Sequence, residues 1–273
     1  MGYRIFKICL QQLFRNWKIV IRLSWILIVI DVIATWWTLD QIAINEVKIS
    51  GVNTQETFTT FAKTMLVVIP QLIVVVVGIT SIAISWHRFI LRDEIGKGFF
   101  LLQPFRLIGA YLWRSIKIGL VSLVVAVPVL IITGIVSSMV LPTLAPGSTG
   151  SLSLSVYAYL GLFSLITGTL YTWLIMRIGL ILPAIAVGKD MPISDSYSST
   201  KKFNDAIIVA AFLVTLLQSV PSIFINGGII AFDAQTPGLL INLLQTIFNW
   251  LGVFVGVGVL TVLYGHVIEE RPL

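Results

Sequence analysis

The residues best placed to do chemistry are ionisable groups inside or beside long apolar runs, where a charge is costly enough to need a reason. Asp31 lies within the run 19–39, and Lys63 opens the next run at a similar depth. Together they could form a proton or cation relay. No chain of further acids leads away from them, so the plainer reading is an intramembrane ion pair that pins two neighbouring helices. Removing either partner would leave the other charge desolvated. Arg22, Arg114, Lys117 and Arg177 stand near the ends of apolar runs, and Lys201 and Lys202 close a short linker. Long cationic side chains at such depths reach lipid phosphates, and they could also line a pocket for an anionic lipid or ligand. His87 is followed by Asp93 and Glu94, and His266 by Glu269 and Glu270. His266 and Glu269 are three apart and share a helix face. If their runs adjoined, these imidazoles and carboxylates could meet as a polar cluster. The spacing has no metal-site specificity, so no metal is expected.

Other chemistry is missing from the pattern. There is no Gly-x-Ser-x-Gly elbow, no phosphate-binding Gly-x-x-x-x-Gly-Lys loop and no haem Cys-x-x-Cys-His. Neither a catalytic residue nor a cofactor is assigned, and the expectation is a non-enzyme. Cys9 is the single cysteine, which excludes an internal disulfide. It is expected to act as a small apolar filler.

The elements that must position these residues follow from composition. Of 273 residues 57% are hydrophobic and 11% charged. Soluble domains carry about 25% charged residues, and a fold of this size in water could not hide so much apolar surface. Lipid solvates that surface, and backbone groups must then pair internally, as helices or closed barrels. The apolar runs are continuous and helix-length, unlike the alternating segments of a barrel. Six spans are expected, over 19–39, 60–86, 115–141, 156–182, 205–229 and 239–264. They group into three hairpins, 19–86, 115–182 and 205–264, of one domain covering 19–273.

Sixteen of the eighteen Lys and Arg residues fall on one side of that topology, with Lys48 and Lys63 on the other. The positive-inside rule makes the rich side cytoplasmic, with both termini there, as in a bacterial inner membrane. The net charge of +6 then reflects loop asymmetry and not nucleic-acid binding. The first run has a long basic approach and no obvious cleavage site, so it reads as a retained span and not a secretory signal.

Residues 1–18 form a separate element. Tyr3, Phe6, Leu10, Leu13, Phe14 and Trp17 recur on one helical face, and Arg4, Lys7, Gln11, Arg15 and Lys18 fall on the other. Such a helix suits the anionic head groups of the cytoplasmic leaflet, or packs on the protein's own loops. Residues 95–114 are expected to skim the membrane surface, and 190–204 to form an amphipathic elbow. Pro70, Pro128 and Pro221 should kink their spans. Beside them Gln71 and Gln218 could mark a substrate path. Gly252 and Gly256 make a Gly-x-x-x-Gly packing signal, to this chain or to a partner.

Two stretches carry a resemblance. The first runs Met176-Arg177-Ile-Gly-Leu-Ile-Leu-Pro183-Ala and continues to Ser196-Tyr197 and Thr200-Lys201-Lys202-Phe203. The second is Trp86-His87-Arg88-Phe89-Ile90-Leu91, with Glu94 following. They resemble a pattern in bacterial multi-span proteins, including the membrane domain fused to some glycerophosphodiester phosphodiesterases. This chain departs from the fused members in carrying no phosphodiesterase stretch. The resemblance therefore implies the topology and no catalytic activity.

These readings converge on an all-α integral membrane protein, a six-transmembrane-helix bundle with amphipathic interfacial helices on the cytoplasmic side. The leading functional expectation is a non-enzymatic scaffold, assembly factor or accessory subunit, in contact with anionic lipids and with other membrane proteins or further copies of itself. The alternative is a transporter or flippase of a lipid or small amphiphile.

Overall fold

The computed structural model describes residues 1–48, 54–94, 103–144, 154–231 and 239–273, and no strand occurs among them. In chain order the helices are α1 (Gly2–Arg15), α2 (Trp17–Lys48), α3 (Thr54–Arg92), α4 (Phe105–Leu144), α5 (Leu154–Ile178), α6 (Ile181–Ala186), α7 (Ile193–Ser199), α8 (Asn204–Ala231) and α9 (Leu239–Val267). A 3-10 turn over Lys201–Phe203 joins α7 to α8. Five of these helices are long and apolar enough to cross a membrane. The chain is accordingly a multi-pass helical membrane protein, helices being one of the two ways to pair backbone groups at membrane depth.

Helix α9 is the axis of the packing. It touches α1, α8, α3 and α2, while α5 lies along α8 and α4 lies against α5, α6 and α3. One cluster dominates the interior, with Ile5, Trp86, Ile207, Val255, Val259 and Tyr264 fully buried. The outer surfaces of α4 and α5 are the reverse. Val124, Leu130 and Leu162 are 74%, 64% and 62% exposed, which is stable only where hydrocarbon replaces water as the solvent.

The N-terminal helix is built into this core. Gly2, Ile5, Cys9 and Leu13 are its buried residues, spaced as one face. Of the sequence-based face, Leu13 is buried and Phe6 and Leu10 pack against the core, while Tyr3, Phe14 and Trp17 are corrected, because all three are exposed. They flank the true contact stripe, and a helix seated between two others buries a narrower, rotated strip. Small residues allow the close approach. A Cβ at Gly2 would fall 2.2 Å from the Ala206 carbonyl oxygen, and one at Gly258 would fall 2.6 Å from Cys9 Sγ. Burial pushes the Cys9 thiol up to about 12, so it stays protonated and unreactive.

Helix boundaries also move. Helix α3 continues to Arg92, where the sequence pattern ended a span at 86. Helix α4 opens at Phe105, so residues 105–114 form its first turns. The expectation for 95–102 lies outside the described residues. Helix α5 stops at Ile178, short of 182, and the chain turns before α6. The elbow expected over 190–204 is occupied by α7 and the 3-10 turn. Helices α3 and α8 run through Pro70 and Pro221.

The contact between Cys9 and Gly258 yields a reciprocal expectation. Gly258→Ala alone should destabilise the protein by about 1–3 kcal/mol, because the buried sulfur has to shift. The added methyl would sit 4.0 Å from Cys9 Cβ, ordinary contact. Cys9→Ala in the same chain should therefore restore most of the loss. Thermal unfolding of the two single variants and the double variant in detergent measures this. Strictly additive losses would show that α1 is not seated on α9 at this point.

Candidate functional site

Two polar joints lie in the buried part of the bundle, one at a helix end that cannot satisfy its own backbone groups and one around a buried imidazole. The first is at the end of α5. The turn at Gly179 and Leu180 interrupts helical bonding, leaving the Arg177 carbonyl and the Leu180 N–H without their usual partners. Ser196 of α7, fully buried, supplies both. Its hydroxyl donates to the Arg177 carbonyl at 2.8 Å and accepts from Leu180 N–H at 3.2 Å.

The Arg177 side chain occupies the same joint and is only 5% exposed. It forms no ion pair with a carboxylate among the described residues. Neutral oxygens hold it instead. Its guanidinium donates to the Tyr197 carbonyl at 3.0 Å, to Thr200 Oγ1 at 3.4 Å and to Asn204 Oδ1 at 3.5 Å. The Tyr197 ring lies 3.8 Å from the guanidinium carbon and the Trp173 ring 5.6 Å. Trp173 Nε1 donates to the same Asn204 oxygen at 3.0 Å. Cation–π contact and the negative end of the α5 dipole favour the charge, each at up to about 2 kcal/mol where partly desolvated.

The second joint centres on His87, fully buried between α3, α4 and α9. Thr261 Oγ1 donates to the Val257 carbonyl at 2.8 Å, so its oxygen is left to accept. The His87 Nδ1 contact to Thr261 at 2.8 Å then requires a proton on Nδ1. A neutral ring with Nδ1–H has an acceptor at Nε2, which receives the Tyr111 hydroxyl at 3.2 Å. The ring is thus held by bonds to two other helices, with a proton on Nδ1 facing Thr261. Next to this joint, Gln103 is bonded to Ser81 and Ser85 of α3 at 3.0 Å each, which anchors the approach to α4.

The residues singled out from sequence meet different fates. Asp31 accepts a hydrogen bond from Trp250 Nε1 at 3.2 Å, tying α2 to α9. Lys63, its expected ion-pair partner, lies where side chains are outside the described residues. Arg22 is exposed on α2, and Lys201 and Lys202 are exposed in the 3-10 turn. Arg114 pairs with Asp190 and donates to the Met191 carbonyl at 2.9 Å. Lys117 sits 5.5 Å from the Trp113 ring.

The cluster proposed from His87, His266, Glu269 and Glu270 does not assemble. His87 is turned into the core, whereas His266 donates from Nδ1 to the Arg271 carbonyl at 2.8 Å. Glu269 pairs with Arg271 at 2.9 Å and with Lys189 at 3.5 Å, and Glu270 occupies a left-handed turn. These contacts fasten the C-terminal tail, and Arg271 in turn donates to Ile90 and Leu91 of α3. No group of three or more metal-ligating side chains occurs among the described residues. Of the packing glycines, Gly252 faces Gln218, whose amide donates to the Gly252 carbonyl at 3.3 Å. Gly256 faces open space, and Gly258 makes the close approach instead.

Sequence reasoning gave no bonding role to the neutral partners Ser196, Thr200, Asn204, Tyr111 and Thr261. Ser196 and Thr200 entered only as part of the resembling stretch, and the signal of the others was polarity or an aromatic hydroxyl within apolar surroundings. Comparison with family models, with curated proteins and with solved structures finds no match.

The Arg114–Asp190 pair gives a pH expectation. Hydrogen bonding and the charge of Arg114 hold the Asp190 carboxyl below its ordinary value of 3.8. A carboxyl lowered in the folded state adds stability above that ordinary value and loses it as pH falls through the lower folded value. The stability gap between wild type and Arg114→Gln should therefore be present at neutral pH and close in acid. Thermal unfolding across that range checks it. A gap of constant size would assign the effect to packing of the Arg114 stem.

Proposed function

We propose that the protein is a non-enzymatic scaffold or accessory subunit of a bacterial inner-membrane complex, with six spans and both termini cytoplasmic. In this reading α2 supplies the first span, and the basic ends of the helices face the cytoplasm. Exposed Tyr3 and Phe14 of α1 and Trp17 at the start of α2, beside Arg4, Lys7 and Arg15, give the N-terminal segment an interfacial edge that meets anionic head groups. The partial likeness to membrane domains fused to phosphodiesterases fits such a role, as a membrane body without chemistry of its own.

The observation that carries the proposal is how the buried polar groups are used. Arg177, His87, Asp31 and Gln218 each bond across to another element or to its backbone. They serve as joints between helices and do not stand open as a relay or a pathway. The broad apolar outer face of α4 and α5 is then the surface that partners or lipids cover. A transport role would require Gln71 or Gln218 to face a continuous passage, and Gln218 is engaged with α9.

Purification from native membranes in mild detergent tests this proposal. The protein should be recovered in a defined assembly larger than its own 30.1 kDa. Val124→Lys or Leu130→Lys, on the outer face of α4, should release it without lowering its own unfolding temperature. Recovery as a free monomer with both faces unaltered, and no defect in any membrane complex on its deletion, would refute the proposal.

A further inference from the structure

A cleft of about 370 Å³ opens between the C-terminal half of α1 and the end of α3. Its polar lining comes from Gln11, Gln12, Arg15, Asn16 and Asp93, and Phe89 forms part of its apolar wall. Three features of this lining ask for a ligand. Gln12 Oε1 is buried and accepts no hydrogen bond among the described residues. Such an orphan acceptor costs about 1–3 kcal/mol unless something donates to it. Arg15 and Asp93 lie on the two sides of the cleft, one on each helix. Neither forms an ion pair among the described residues, with the other or elsewhere. Asp93 is also held in place by backbone geometry. It adopts the left-handed conformation at φ 55°, with its N–H donating to the Phe89 carbonyl at 3.1 Å, and so closes α3. The negative end of the α3 dipole is thereby at the same wall as the carboxylate.

We propose that this cleft binds a zwitterionic head group carrying a primary ammonium and a phosphodiester anion, the chemistry of phosphoethanolamine. Asp93, the α3 terminus and the Phe89 ring form the cationic half of the site. Gln12 Oε1 accepts one ammonium N–H. The guanidinium of Arg15 takes the phosphate, a geometry it can satisfy with two parallel bonds. A quaternary choline has no N–H to give Gln12, and a glycerol head group has no charge to give Asp93. The site therefore discriminates within phospholipids. Exposed Phe14 and Trp17, 67% and 54% accessible beside Arg15 and Asn16, suit the depth of the head groups. The inference does not depend on the scaffold proposal, because a monomer can bind such a ligand.

The test is binding to the full-length protein purified in nonionic detergent. The probes are short-chain phosphatidylethanolamine, phosphatidylcholine, phosphatidylglycerol and free glycerophosphoethanolamine. The ethanolamine lipid should bind at least about tenfold more tightly than the choline or glycerol lipid. Asp93→Asn and Arg15→Gln should each weaken it about tenfold while leaving the unliganded unfolding temperature unchanged. Both positions are exposed, so folding is expected to survive. Gln12→Met should reduce the preference for ethanolamine over choline, and where it impairs folding the two charge variants decide. Equal binding of free glycerophosphoethanolamine would identify a soluble zwitterion as the source, and binding of the lipid alone would identify the membrane; both outcomes support the chemistry. Equal affinity for the choline lipid, charge variants that bind as wild type, or no binding of either ethanolamine probe would overturn it.

Discussion

A buried guanidinium with no carboxylate partner among the described residues is the constraint around which this end of the bundle is arranged. Taking Arg177 out of water costs several kcal/mol even after relaxation, and leaving it unmatched would undo the fold. The protein answers with dipoles in place of a counter-ion: a backbone carbonyl, a hydroxyl, an amide oxygen and two aromatic faces. All of these come from α5, from α7 with its capping Thr200, and from the start of α8. The charge therefore fixes the path of the chain from one long helix to the next. Ser196 completes the arrangement by bonding both broken ends of the helix that presents the arginine.

The same economy recurs elsewhere in the core. His87 is held by a hydroxyl that has already given its proton away and by a phenol on the other side of the ring. Asp31 receives an indole N–H, and Gln218 gives an amide N–H to a glycine carbonyl. In each case a polar side chain joins two helices that hydrocarbon would not hold together, since lipid solvates apolar faces as well as another helix does. The apolar packing around α9 supplies shape, with Gly258 and Gly2 admitting α1 to within contact distance of backbone and sulfur. The polar bonds supply register. That division explains how a chain so rich in interchangeable Val, Ile and Leu can specify one arrangement.

Much of this architecture was legible in the sequence, and the failures are instructive. Long apolar runs report the solvent directly, so the helical class and five of the six expected spans followed from composition. Helix ends did not, because α3 and α4 continue past the apolar run into mixed sequence that tertiary contacts stabilise. Spacing indicated an amphipathic N-terminal helix, yet it chose Tyr3, Phe14 and Trp17 over Gly2, Ile5 and Cys9. Hydrophobicity ranks large aromatic residues first, whereas a tight three-helix contact selects small ones. Ionisable residues stood out, so Arg177 and Asp31 were found. Their partners are hydroxyls and amides, which any sequence carries in number and which only the fold brings together. His87 and His266 looked equivalent beside their acidic neighbours. The extra turns of α3 place one inside the core, and the returning C-terminal tail claims the other.

Arg177 holds the elbow to α5. Hydrogen exchange on the purified protein, comparing wild type with Arg177→Leu, measures this directly. The amides of 193–203 should exchange much faster in the variant, while those in the buried half of α9 keep their protection. Unchanged exchange across 193–203 in a folded variant would contradict it, because apolar packing alone would then be enough to hold the elbow.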